Sequence, residues 1–91
     1  MEANATVYDR TALIKIKGAA GPTDLLKLFE DLEEFAKEYP ILVLSFTENK
    51  APIGFPERLR AFRSKFKGRS NVLWASRGDP EADGEDRVSA L

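Results

Sequence analysis

Arg58, Arg60, Arg63 and Lys67 are joined by Lys65 and Arg69 to make six bases across residues 57–69 against the single acid Glu57. Residues 23–38 are the converse. Asp24, Glu30, Asp31, Glu33, Glu34 and Glu38 outnumber Lys27 and Lys37 there. The formal net charge of the whole chain is only −1. Charge segregated by segment favours recognition, because a fold by itself asks only that polar side chains cover its outside. The chemistry available is therefore binding: a basic face for an acidic partner or an anion, with guanidinium groups suited to carboxylate or phosphate.

Catalytic chemistry has a thin inventory. The chain contains no His and no Cys, which removes the usual general base near neutral pH, thiol nucleophiles, disulfides and thiolate metal sites together. The sequence reading is accordingly not an enzyme, with no catalytic residues, no cofactor and no metal. One motif, Asp79-x-Glu81-x-Asp83-Gly84, matches the opening of a calcium loop, but Ala90 stands where a bidentate Glu belongs.

Ninety-one residues suit one small domain. No apolar run approaches the ~20 residues of a membrane helix, and MEANATVYDR lacks the features of a signal peptide, so the sequence predicts a cytoplasmic setting and no membrane span.

These residues need elements to position them. Val7 and Tyr8 are expected to pair with Ala12 to Lys17 across a turn at Asp9, Arg10 and Thr11, with Ile14 and Ile16 facing inward and Lys15 and Lys17 outward. Gly21-Pro22 breaks the strand, and Thr23 is placed to cap a helix in which Leu25, Leu28, Phe29, Leu32, Phe35 and Ala36 form one apolar stripe. On that helix Lys27 with Asp31 and Glu33 with Lys37 have stabilising spacings. Pro40 ends it, and ILVLSF, residues 41–46, reads as a central strand covered on both faces. The loop from Thr47 to Gly54 leads to Pro56 in the first turn of a second helix. There Leu59, Phe62 and Phe66 make a narrow stripe, with Arg60, Arg63 and Lys67 placed opposite it and Arg58, Lys65 and Arg69 on its other flank. Gly68 stops the helix, and NVLWAS, residues 71–76, is the last strand. Ile53 and Phe55 either tuck beneath this second helix or stand exposed for binding. From Gly78 the composition predicts a flexible acidic tail.

The expected fold class is α/β, in the order β-β-α-β-α-β, with a mixed sheet and helices on one or both faces. That order, with the Gly54-Phe55 pair opening the second helix, resembles a STAS domain, the family of anti-sigma factor antagonists and of the cytoplasmic tails of sulfate transporters. The resemblance covers residues 6–77, leaving 78–91 as the tail. In that family the loop after the central strand carries an Asp-Ser-Ser-Gly-Leu motif whose second Ser is phosphorylated. Here Ile53 holds the phosphoacceptor position and Lys50 or Ala51 the acidic one, so the resemblance implies a divergent member without the switch. It also lacks the family's final helix.

The functional expectation is a regulatory or scaffolding module that binds a protein partner, a second copy of itself being one candidate, through Ile53, Gly54, Phe55, Arg58, Arg60, Arg63 and Lys67. The alternative is a nucleic-acid or anion-binding domain using the same helix.

Overall fold

A computed structural model of the chain describes residues 1–47 and 51–76. The expected tail at 78–91, its calcium-like motif, and Glu48, Asn49 and Lys50 of the loop lie outside the described residues.

The elements follow the expected order: β1 (Glu2–Tyr8), β2 (Thr11–Lys17), α1 (Pro22–Glu38), β3 (Ile41–Phe46), α2 (Phe55–Lys65) and β4 (Asn71–Ser76). They build one mixed sheet in the order β1-β2-β3-β4. The first pair is antiparallel and the next two are parallel. Parallel neighbours require crossovers, and α1 and α2 supply them.

Both helices sit on the same face. Ala12, Ile14 and Ile16 of β2, Leu42, Leu44 and Phe46 of β3, and Val72 and Trp74 of β4 join Leu25, Leu28, Leu32 and Ala36 of α1 and Phe55, Leu59, Phe62 and Phe66 beside them in one buried cluster. Right-handed crossovers between strands added in one direction place successive helices on one side, which selects between the two arrangements open from sequence. Leu13, Val43 and Ala75 alternate to the opposite face and are buried as well. β3 is thus buried from both sides, the reason its sequence is nearly continuously apolar.

Several boundaries differ from expectation. β1 begins at Glu2, four residues ahead of the expected domain start, because seven register pairs from Glu2↔Lys17 to Tyr8↔Thr11 tie it to β2. The turn needs only Asp9 and Arg10, with Asp9 at φ 53. The N-cap of α1 is Gly21, not Thr23, and the Asp24 carboxylate accepts the Gly21 N–H at 3.0 Å. Pro22 fixes φ at the first helical position and starts the helix two residues earlier than a cap at Thr23 would. α2 ends at Lys65 with Phe66 as its C-cap, a turn before Gly68. Gly68, at φ 82, shapes the turn that brings Arg69 N–H and Ser70 N–H back to the Phe66 carbonyl at 3.0 and 3.1 Å.

Gly54 is the N-cap of α2 at φ 90, and a Cβ there would meet nothing within 4 Å. The penalty for a side chain is then purely the left-handed backbone. Gly54→Ala is expected to cost about 1–2 kcal/mol in chemical denaturation; an unchanged midpoint would show that the loop relaxes to negative φ. Among the described residues no helix is long and apolar enough to cross a membrane.

Candidate functional site

The loop into α2 is drawn in by two backbone bonds, Phe55 N–H to the Pro52 carbonyl at 3.0 Å and Arg58 N–H to the Gly54 carbonyl at 3.1 Å. This tight entry sends its two apolar side chains in opposite directions. Phe55 is wholly buried, with its ring 4.9 Å from both Phe46 and Trp74 and 5.7 Å from Phe29. It belongs to the core and cannot touch a partner, which corrects its place among the expected binding residues. Ile53, by contrast, is 101% exposed. The structure therefore takes both alternatives at once.

The bases divide between two sides of α2. Arg63 and Lys67 line a cleft with Ile41 and Ser70 at one end of β4, and Arg60 and Arg63 line a second with Pro56 and Trp74. These three bases follow the side of α2 that overhangs β4. They lie beside the buried stripe and not opposite it, because α2 covers the edge of the sheet and one flank looks out over that edge. Lys65 lies on the other flank, where its Nζ reaches Glu33 of α1 at 2.7 Å. Arg58, seven positions earlier, shares that flank by helical spacing. The site residues form an interrupted band along α2 and the turns at its two ends and not a single patch.

Arg63 has a structural task. Its Nε and Nη2 both donate to the Val72 carbonyl of β4, at 3.0 and 2.6 Å. A charged donor on a partly buried carbonyl makes a strong bond, so this guanidinium pins α2 to the edge strand. The sequence offers no signal for that bond. Arg58, Arg60 and Lys67 remain exposed.

The acidic helix is partly answered within the chain. Glu33 is taken by Lys65 across the two helices, and Lys37 reaches Glu34 at 3.3 Å instead of the expected Glu33. Phe29 reinforces the same seam against Phe55 and Phe62. On the far side of α1, Asp31, Glu34 and Glu38 rim a cleft of about 340 Å³ whose floor includes Ala3, Ala5 and Phe35. Reading the sequence by helix alone missed this cleft, because half of it comes from β1.

At the C-terminal end of the sheet, Ser76 pairs in register with Phe46 and is 2% exposed, with no hydrogen-bond partner for its hydroxyl among the described residues. Thr47 closes the same end by donating through both N–H and Oγ1 to the Ile16 carbonyl. Among the described residues no group of three acidic, His or Cys side chains is placed to hold a metal ion. Comparison with protein-family models, with characterised proteins and with solved structures finds no match to this chain.

Proposed function

We propose that this chain is a non-catalytic protein-interaction module, a regulatory or scaffolding domain similar to an anti-sigma factor antagonist of the STAS type without its phosphorylation switch. The observation that carries this reading is Ile53, held fully in solvent by a constrained turn in the loop that follows β3, beyond the C-terminal ends of the parallel strands where ligands commonly sit. Covering such a side chain is worth about 1.5–3 kcal/mol, enough for a small anchor. Exposed Arg58 and Arg60 flank the same end of α2 and would orient an acidic partner, a role in which charge adds rate and specificity more than affinity. Acidic α1 of a second copy has the matching chemistry.

Nucleic-acid or anion binding by the same helix has less support. Phe62 and Phe66, the aromatics of this segment, are 5% and 4% exposed and offer no stacking surface, and Arg63 is committed to Val72.

The double variant Ile53→Asp, Arg58→Glu touches no core side chain and should unfold close to the wild-type temperature. Wild type is expected to self-associate at low salt in light scattering, or to capture a protein from native extract, and the variant to lose that binding at least tenfold. A folded variant that assembles and captures as well as wild type would overturn the assignment. Tight, steeply salt-dependent binding to generic duplex or single strands would favour the alternative.

A further inference from the structure

We propose that the open edge of β1 and the acidic cleft beside it form a second docking surface, which takes an extended basic segment of another protein as a fifth strand. This surface lies at the opposite edge of the sheet from the bases of α2 and does not depend on the function proposed above.

The two edges of the sheet are treated differently. At β4, α2 overhangs the strand and Arg63 occupies the Val72 carbonyl. At β1 all seven residues are exposed, and among the described residues the strand pairs only with β2. Natural edge strands are commonly guarded by Lys, Pro or a bulge. Residues 3–8 of β1, Ala-Asn-Ala-Thr-Val-Tyr, contain no charge, Pro or Gly, and the register with β2 runs without a bulge. The outward N–H and C=O groups of alternate residues are therefore free to pair with an added strand.

Side-chain chemistry then selects the occupant. Ala3, Ala5 and Val7 pair with Ile16, Ile14 and Ala12, so they lie on the helix-covered face of the sheet. Because Ala3 and Ala5 are small, space of about 340 Å³ remains between β1 and α1, with Phe35 along one wall. An incoming strand lies about 4.8 Å from β1 and directs every second side chain to this face. Long side chains fit there, and their outer ends arrive at Asp31, Glu34 and Glu38. Among the described residues no base lines the cleft. Lys37 does reach Glu34, but both side chains are well exposed and such a pair exchanges at little cost.

Spacing refines the partner further. Asp31 to Glu38 spans about 10 Å of helix rise. Two bases two residues apart on a strand are about 6.6 Å apart, within reach of these carboxylates once their stems lie over Ala3, Ala5 and Phe35. The recognised element is a Lys/Arg-x-Lys/Arg segment in extended form. Pairing of β1 with β1 of a second copy is disfavoured, since it would bring two acidic rims together and would present only Ala3, Ala5 and Val7 to each cleft.

The test uses the full chain and a fluorescent nine-residue peptide alternating Arg with Val or Thr, followed by anisotropy at low and moderate salt. A control peptide of the same composition has its bases consecutive. The alternating peptide is expected to bind at least tenfold more tightly than the control. Glu34→Lys, Glu38→Lys should lower that affinity at least tenfold while the circular dichroism spectrum and melting temperature stay as in wild type. The Ile53→Asp, Arg58→Glu variant should bind the peptide as wild type does, so failure of one surface is distinguishable from failure of the other. Equal binding of the two peptides, unchanged affinity in the charge-reversed variant, or a salt-strengthened dimer that excludes the peptide would each overturn the proposal.

Discussion

Phe55→Ala is expected to remove about 3–5 kcal/mol of stability, the range for deleting a buried aromatic ring. A domain of this size has roughly 5–13 kcal/mol in total, so the loss takes the protein toward its unfolding threshold. The reason is position. Phe55 is fully buried and stands edge-on to Phe46 and Trp74, with centroids 4.9 Å away in each case, while Phe29 approaches from α1. Its ring is the shared neighbour of two strands and both helices, and no neighbour can collapse into the space without leaving its own packing. The single Trp makes the measurement direct, because Trp74 lies against the deleted ring. Urea unfolding followed by its fluorescence should show a midpoint lower by about 2 M or more. Phe55→Leu, which keeps most of the volume, should cost clearly less. A midpoint within about 0.5 M of wild type for Phe55→Ala would mean that the aromatic cluster repacks and that Phe55 does not hold the layers together.

Arg63→Ala is expected to cost about 1.5–3 kcal/mol, the range for a hydrogen bond made by a charged group. Nε and Nη2 converge on one carbonyl, so Arg63→Lys, which offers a single ammonium without the planar fork, should recover only part. Arg58→Ala, on an exposed side chain, should stay within about 0.5 kcal/mol of wild type. Thermal unfolding separates the three, since 1 kcal/mol moves the midpoint by about 4–8 °C in a domain of this size. Equal midpoints for Arg63→Ala and Arg58→Ala would show that the bonds to Val72 add no net stability. The result also bears on any binding experiment. Charge reversal at Arg63 confounds a lost contact with a loosened edge strand, which is why Ile53 and Arg58 are the better probes of the proposed surface.

The elements most legible in the sequence were those whose burial is most complete. ILVLSF and NVLWAS are apolar on their core faces, and the strands there match the expected ranges residue for residue. β1 was half hidden because the apolar positions that alternate along Glu2 to Thr6 are only Ala3 and Ala5, too small to stand out as a buried face. That stretch is a strand through pairing with β2, and propensity has little part in it. The candidate site was legible in composition but not in layout. Helical spacing identified the stripe of Leu59, Phe62 and Phe66, yet which flank meets α1 and which overhangs β4 depends on where the helix sits over the sheet. Phe55 and Ile53 are neighbours but one across Gly54, and only the left-handed turn at Gly54 reveals that one points in and the other out. Arg63 looked like its neighbours because a bond to a backbone carbonyl leaves no trace in residue type.

The order of strands across the sheet equals their order along the chain. No strand has to be inserted between two others, so each strand-helix unit made at the ribosome can be laid against an edge already formed, beginning from the local hairpin of β1 and β2. Closure is nonetheless late. Trp74 and Val72 arrive with the last strand, and until they do Phe46 and Phe55 lack their edge-on ring and Arg63 lacks its carbonyl. The growing domain can therefore hold its topology early, while the packing that fixes α2 waits for β4 to leave the exit tunnel.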